Sequence, residues 1–155
     1  MSQRHILDVG NCTPDHFAIR RMLEQHFDVA IDRVMHVADA IERMRDTAYD
    51  LVLVNRLIFD GGAEGIELLR RAKSDAALRS TPIMMISNYA DAQAAAMREG
   101  GQPGFGKASL DAPETIARLA KILRPSPVIT EPRPGTSAPQ ATCSEPRPGI
   151  TEPRP

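Results

Sequence analysis

The stretch Tyr49-Asp50-Leu51-Val52-Leu53-Val54-Asn55 decides the fold that this sequence predicts. Four consecutive apolar residues, 51–54, stand between two polar ones. Because side chains alternate between the faces of a strand, a run of this kind has no face suited to water. Its β-branched valines and its short length favour a strand over a piece of buried helix. We therefore expect a central strand that is covered on both faces.

The residues on either side of this strand predict alternating strands and helices. Apolar runs at 6–9 and 83–86 predict two more strands, and weaker patterns suggest strands near 29–34 and 104–107. Apolar residues recur at the spacing of an amphipathic helix in the segments between and after them. The five predicted helices lie near 13–27, 37–48, 64–73, 91–99 and 111–123. Five β–α units in succession predict one α/β domain, a doubly wound, flavodoxin-like parallel sheet with helices on both faces.

The composition changes sharply after this predicted domain, which spans residues 1–123. Nine of the chain's 13 prolines fall in residues 124–155, and the sequence Thr/Ser-Glu-Pro-Arg-Pro begins at 130, 144 and 151. Proline fixes φ and removes a hydrogen-bond donor, and the segment has little apolar surface to bury. We expect a disordered or extended tail, which serves either as a solvated appendage or as a ligand for a proline-recognition domain.

Charge and cysteine content exclude several classes of protein. The formal net charge is -1, from 19 Lys and Arg against 20 Asp and Glu, so no overall field favours nucleic acid or an anionic membrane. The two cysteines, Cys12 and Cys143, suggest neither a disulfide framework nor a thiolate metal site. No apolar run has the length of a signal peptide or a membrane span, so we expect a cytoplasmic protein. The four histidines show no metal-site spacing, and we expect them at the surface or at edges.

Polar residues follow the predicted strands and mark the expected site. In a parallel sheet, the open crevice lies beyond the carboxyl ends of the strands. Gly10 and Asn11 follow the first strand, Asn55 follows the central strand, Ser87 follows the fourth and Lys107 ends the fifth. With these residues, and with the helix opening at 65–69, residues 4–123 resemble the CheY-like receiver domain of response regulators in bacterial two-component signalling.

The resemblance implies a site for aspartyl phosphorylation, and the sequence departs from it at the acidic positions. Receiver domains place a metal-binding acid pair where this chain has Gly10 and Asn11, and a phosphoacceptor Asp where it has Asn55. The Ser/Thr and Lys positions that contact the phosphoryl group match Ser87 and Lys107. An amide is not a nucleophile of the carboxylate kind, and Mg²⁺ requires oxygen ligands that Gly10 lacks. We therefore interpret the chain as a degenerate pseudo-receiver that has no catalytic residues, metal or cofactor.

The loss of the acids leaves Lys107 in need of a new partner. An unpaired ammonium in a partly dry crevice costs free energy or loses its proton. The candidates are Asp60 in the loop after the central strand, Asp8 on the first strand, and a bound anion held by Lys107, Ser87 and Asn55. We expect one of the two aspartates rather than the anion, because structural pairing is the commoner outcome.

Three hypotheses for function follow from this sequence. The first is a non-enzymatic signalling protein in a two-component or phosphorelay context. It acts by contact with a protein, such as a histidine kinase or another signalling protein, without aspartyl phosphorylation. The second is a response regulator that is phosphorylated on a displaced acid, Asp60 or Asp8. The third is a module that binds a small anionic ligand in the crevice. None of the three involves nucleic acid or a membrane.

Overall fold

A computed structural model of the chain describes residues 3–58 and 63–123. The tail prediction for 124–155 and the candidate Asp60 lie outside these residues. Strands and helices alternate along the chain, as the sequence predicts. The strands are β1 (Arg4–Val9), β2 (Val29–Val34), β3 (Leu51–Asn55), β4 (Ile83–Ile86) and β5 (Gln102–Phe105). The helices are α1 (Thr13–His26), α2 (Val37–Asp46), α3 (Ile66–Lys73), α4 (Ala90–Arg98) and α5 (Pro113–Leu123), and a 3₁₀ turn spans Lys107–Ser109.

The five strands form one parallel sheet in the order β2-β1-β3-β4-β5. β3 lies at the centre, and its residues 51–54 are fully buried. Leu51 and Leu53 pack in one apolar cluster with α1 and α5, whereas Val52 and Val54 pack in the other with α2 and α3. This alternation confirms the prediction of a doubly wound sheet whose central strand is covered on both faces.

The last strand differs from its predicted position. We placed it at 104–107, and it forms at Gln102–Phe105, two residues earlier. The strand includes Pro103, although proline cannot donate to the ladder. β5 is an edge strand that pairs only with β4, so a missing donor on its outer side is tolerated. The shift moves Lys107 out of the strand and into the 3₁₀ turn that follows it.

Candidate functional site

The turn after β1 brings Gly10 against Ile58. Gly10 has a positive φ of 81°, a conformation that residues with a side chain rarely adopt. A Cβ added at this position would lie 2.5 Å from Cδ1 and 3.2 Å from Cα of Ile58. Ile58 is 1% exposed and belongs to the apolar core. Its N–H donates to the Ala63 carbonyl over 2.7 Å, which helps to hold Ile58 against Gly10. A side chain at Gly10 therefore requires Ile58 to shift.

Asn55 uses its side chain as a hydrogen-bond donor. Its Nδ2 donates to the Leu57 carbonyl over 2.6 Å and to the Gly10 carbonyl over 3.4 Å. Both partners are acceptors, so hydrogen bonding fixes the orientation of the amide. A carboxylate in this position would direct its oxygens at two carbonyl oxygens. The amide therefore joins the ends of β1 and β3 in a way that an aspartate does not.

The buried polar residues beside Gly10 pair with one another. Asp8 is 0% exposed. Its Oδ1 accepts from Nδ2 of Asn11 over 2.5 Å, and its Oδ2 lies 2.5 Å from Nδ1 of His16 on α1. Oδ1 of Asn11 is buried and has no partner among the described residues. The expectation that His16 lies at the surface or at an edge was wrong, because this side chain is 7% exposed and faces Asp8 across the core.

Lys107 pairs with an acid that the sequence did not indicate. Its Nζ lies 2.6 Å from Oδ2 of Asp15, in the first turn of α1. This hydrogen bond from Lys107 holds the pKa of the Asp15 carboxyl below its usual value; burial acts in the opposite direction, and a hydrogen bond from Cys12 adds to the lowering. The prediction of Asp8 as the partner of Lys107 was wrong, because both Asp8 oxygens are already engaged by Asn11 and His16.

The carboxyl ends of β3 and β4 border an open cleft of about 250 Å³. Asn55 and Lys107 contribute to its lining, together with Ser87, which is 8% exposed. The Ser87 hydroxyl accepts from the Tyr89 N–H over 3.1 Å and so fixes the turn into α4. The structure therefore places Asn55, Ser87 and Lys107 at one cleft, whereas Gly10 packs against Ile58, and Asp8 and Asn11 are buried.

Comparison with solved structures identifies the fold. A response regulator from Chloroflexus aurantiacus superposes with a TM-score of 0.68 at 17% identity, over 78% of this chain and 98% of that one. The signal receiver domain of a DNA-binding response regulator from Colwellia psychrerythraea gives 0.66 at 18%, over 77% and 97%. The chemotaxis response regulator CheY4 of Vibrio cholerae gives 0.62 at 13%, over 79% and 100%. The chain has the receiver fold.

Sequence comparison adds nothing to this identification, since no protein-family model and no curated protein match the chain. Likeness at these identities establishes the fold and leaves function to the site itself. In the receiver fold of this chain, no His, Cys, Asp and Glu side chains within 3–58 and 63–123 form a group of three suited to a metal ion. Across the same ranges, no helix is both long enough and apolar enough to cross a bilayer.

Two residues of this receiver fold escaped sequence reasoning for different reasons. Ile58 lies in a loop, where apolar character alone does not tell what it covers. His16 did carry a signal, because it stands three residues before Ile19 and seven before Leu23, on the inward stripe of α1. Asp8 likewise shares a strand face with Ile6, which packs against α1. A polar residue on each of two facing apolar surfaces predicts a buried pair.

Proposed function

We propose that this chain is a non-enzymatic, receiver-fold signalling module that acts through contact with another protein and is not phosphorylated on aspartate. The observation that carries the proposal is the contact between Ile58 and Gly10. At the position where the resemblance to receiver domains calls for a metal-binding acid, the chain has no side chain, and a core isoleucine occupies the adjacent space.

The chemistry of phosphoryl transfer supports the same reading. Aspartyl phosphorylation needs a carboxylate nucleophile and a divalent cation that neutralises developing charge. Asn55 offers an amide whose donors are engaged by two carbonyls. Asn11 is buried, and its amide nitrogen is held by Asp8. A hard cation would find no charged oxygen ligand at either acid-pair position.

The proposed signalling context is taken from the similarity of the fold to receiver domains. Receiver domains belong to bacterial two-component and phosphorelay signalling, so the proposed partner is a histidine kinase or another signalling protein in the cytoplasm. The proposal involves neither nucleic acid nor a membrane. The near-neutral formal charge of -1 supports that part, because phosphate backbones and anionic lipids select for clustered positive charge.

The two rival functions find less support at the site. Phosphorylation of Asp8 would require exposure of a carboxylate that is 0% exposed and engaged at both oxygens, which leaves Asp60 as the displaced acceptor to test. Binding of a small anion through Lys107 would compete with Asp15, whose carboxylate already holds the ammonium at 2.6 Å. Each rival therefore requires an existing contact to break or depends on Asp60.

Beryllofluoride with Mg²⁺ tests the proposal, because this complex mimics an aspartyl phosphate. We expect the amide resonances of Asn55, Ser87 and Lys107 in the isotope-labelled full chain to stay unmoved, while an active receiver domain run in parallel responds. A saturable shift at Ser87 and Lys107 would overturn the proposal. If that shift vanishes in Asp60→Asn, the displaced-acid hypothesis takes its place.

A further inference from the structure

The cleft at the ends of β3 and β4 has the charge of a site for anionic groups. None of its eight lining residues is Asp or Glu, and two of them, Arg56 and Lys107, are cationic. Lys107 already pairs with Asp15. The Arg56 guanidinium has no hydrogen-bond partner within 3–58 and 63–123, so its planar fork of N–H donors remains available. Arginine binds carboxylates through paired, parallel hydrogen bonds.

The rim of the same cleft is apolar and aromatic. Tyr89 is 59% exposed and Leu57 is 42% exposed. They are two of the four large hydrophobic residues that lie exposed in the described part of the chain, and the other two, Phe17 and Met97, do not line this cleft. Cζ of Arg56 lies 5.1 Å from the centroid of the Tyr89 ring, within cation–π distance. Tyrosine and arginine are the residue types enriched at energetic hot spots of protein interfaces.

The backbone holds both anchors on the end of the sheet. The Arg56 N–H donates to the Ile86 carbonyl over 3.2 Å, and the Arg56 carbonyl accepts from Gly65 over 2.8 Å. The Tyr89 N–H donates to the Ser87 hydroxyl over 3.1 Å. Residues whose backbone is already fixed lose less conformational entropy when a partner binds. The backbone positions of Arg56 and Tyr89 are therefore fixed before a partner binds.

We infer that this cleft docks an acidic segment of the partner protein, with a carboxylate on Arg56 and a neighbouring apolar side chain on Tyr89 and Leu57. The inference rests on the proposed function and adds the chemistry of the partner. A free inorganic anion would leave the apolar rim unused. Nucleic acid would require a track of cations for successive phosphates, whereas this cleft offers Arg56 and a Lys107 that is already paired.

Titration of the isotope-labelled full chain with matched peptides tests the inference. The probes are the blocked tripeptides Leu-Glu-Phe and Leu-Gln-Phe, which differ only in the carboxylate. We expect the first to shift the amide resonances of Arg56, Asn88 and Tyr89, and the second to bind about tenfold more weakly, the change expected when one charge-assisted pair is lost. Arg56→Gln and Tyr89→Ala should each weaken the first peptide by about tenfold or more.

Phe17→Ala and Arg20→Gln provide the control, because they remove an exposed aromatic ring and an arginine from α1, outside this cleft. Binding of Leu-Glu-Phe should be the same in both controls as in the unmodified chain. The inference is overturned if Arg56→Gln binds normally or if neither peptide shifts these resonances. It is also overturned if inorganic phosphate shifts them with equal affinity, or if a short oligothymidylate binds more tightly than the acidic peptide.

The peptide titration tests the acidic docking site, and the beryllofluoride experiment tests the proposed absence of phosphorylation. Either proposal can be overturned without the other. A beryllofluoride response would overturn the proposed absence of phosphorylation even if the acidic peptide bound as expected. Absence of peptide binding in a chain that ignores beryllofluoride would overturn only the acidic docking site.

Discussion

The two halves of the carboxyl edge of the sheet differ in what fills them. On the β1 side, Ile58 packs against Gly10, and Asp8, Asn11 and His16 form a buried network. On the β4 side, the edge stays open as a cleft with Tyr89 exposed on its rim. The β1 side is therefore packed and buried, whereas the β4 side is open and exposes an aromatic side chain.

This difference bears directly on the proposed function. Phosphorylation in the receiver fold would need acids on the β1 side. In this chain, that side is occupied by the packing of Ile58 against Gly10. Contacts with a partner need only an accessible, fixed surface, and the β4 side provides one. A closed first half and an open second half are therefore consistent with a protein that signals without aspartyl chemistry.

His16→Ala should give the largest loss of stability in the closed half. It leaves the buried Asp8 carboxylate with Asn11 as its remaining partner. The loss of a buried side chain, together with its hydrogen bond to Asp8, costs about 3–5 kcal/mol. The control His5→Ala, at an exposed position of β1, should change the free energy of unfolding by less than about 0.5 kcal/mol. Urea denaturation measures both, and equal effects would show that the Asp8 pair does not stabilise this half.

Gly10→Ala should cost about 2–4 kcal/mol, because the new methyl meets Ile58 and the residue must keep a positive φ. Gly100→Ala separates these two causes. Gly100 also has a positive φ, of 97°, but the atoms nearest to a Cβ there are methylene carbons of Lys73, at 3.1 Å or more. Its cost should be about 1–2 kcal/mol, the backbone part alone. Both variants are measured by thermal and urea unfolding. Equal losses would mean that Ile58 shifts at little cost in free energy and does not prevent a side chain at residue 10.

Asn55→Asp should destabilise the chain by about 1–3 kcal/mol, because the carboxylate faces the Gly10 and Leu57 carbonyls without a donor. The matched control is Asn88→Asp. Asn88 uses its Oδ1 to accept from the Ala108 N–H, a role that a carboxylate oxygen keeps. The control should change stability by less than about 0.5 kcal/mol. A stabilising effect of Asn55→Asp in urea denaturation would refute the donor role of this amide.

Asp15→Asn should have the smallest effect, less than about 1 kcal/mol, because about a third of each side chain in the Asp15–Lys107 pair is exposed. The pair lowers the pKa of Asp15 in the folded state below its ordinary value of 3.8. Its contribution is therefore fully present above pH 3.8 and is lost as the pH falls through the lower, folded-state pKa.

The free energy of unfolding is measured from neutral to acid pH for the unmodified chain and for Asp15→Asn. The two curves should converge as the pH falls below 3.8. Lys107→Met should give the same profile as Asp15→Asn, since it removes the other member of the pair. A difference between the unmodified chain and Asp15→Asn that persists at low pH would assign the effect to something other than this ion pair.

The sequence predicts the fold well where burial leaves a simple pattern. The continuous apolar runs at 51–54 and 83–86 predict strands covered on both faces, and strands form there, at Leu51–Asn55 and Ile83–Ile86. The pattern fails at β5, because tolerance of Pro103 depends on the strand lying at an edge. Whether a strand lies at the edge depends on the order of all strands in the sheet, and a short stretch of sequence does not determine that order.

The site is predictable in part for a related reason. Parallel strands bring their carboxyl ends to one edge, so the grouping of Asn55, Ser87 and Lys107 follows from topology. The partner of Lys107 does not follow, because Asp15 lies 92 residues away and reaches it through the packing of α1. The contact between Ile58 and Gly10 does not follow either, because spacing and periodicity do not predict what a residue outside the strands and helices packs against.

The most direct test of the proposal that this chain is not phosphorylated on aspartate is a covalent one. The full chain is incubated with acetyl phosphate and Mg²⁺ and its intact mass is measured, with an active receiver domain as the positive control. We predict no added phosphoryl group, either in the unmodified chain or in Asn55→Asp, because the acid pair would still be absent and Ile58 would still pack against Gly10. An acid-stable, base-labile increase of one phosphoryl group in the unmodified chain would contradict the account.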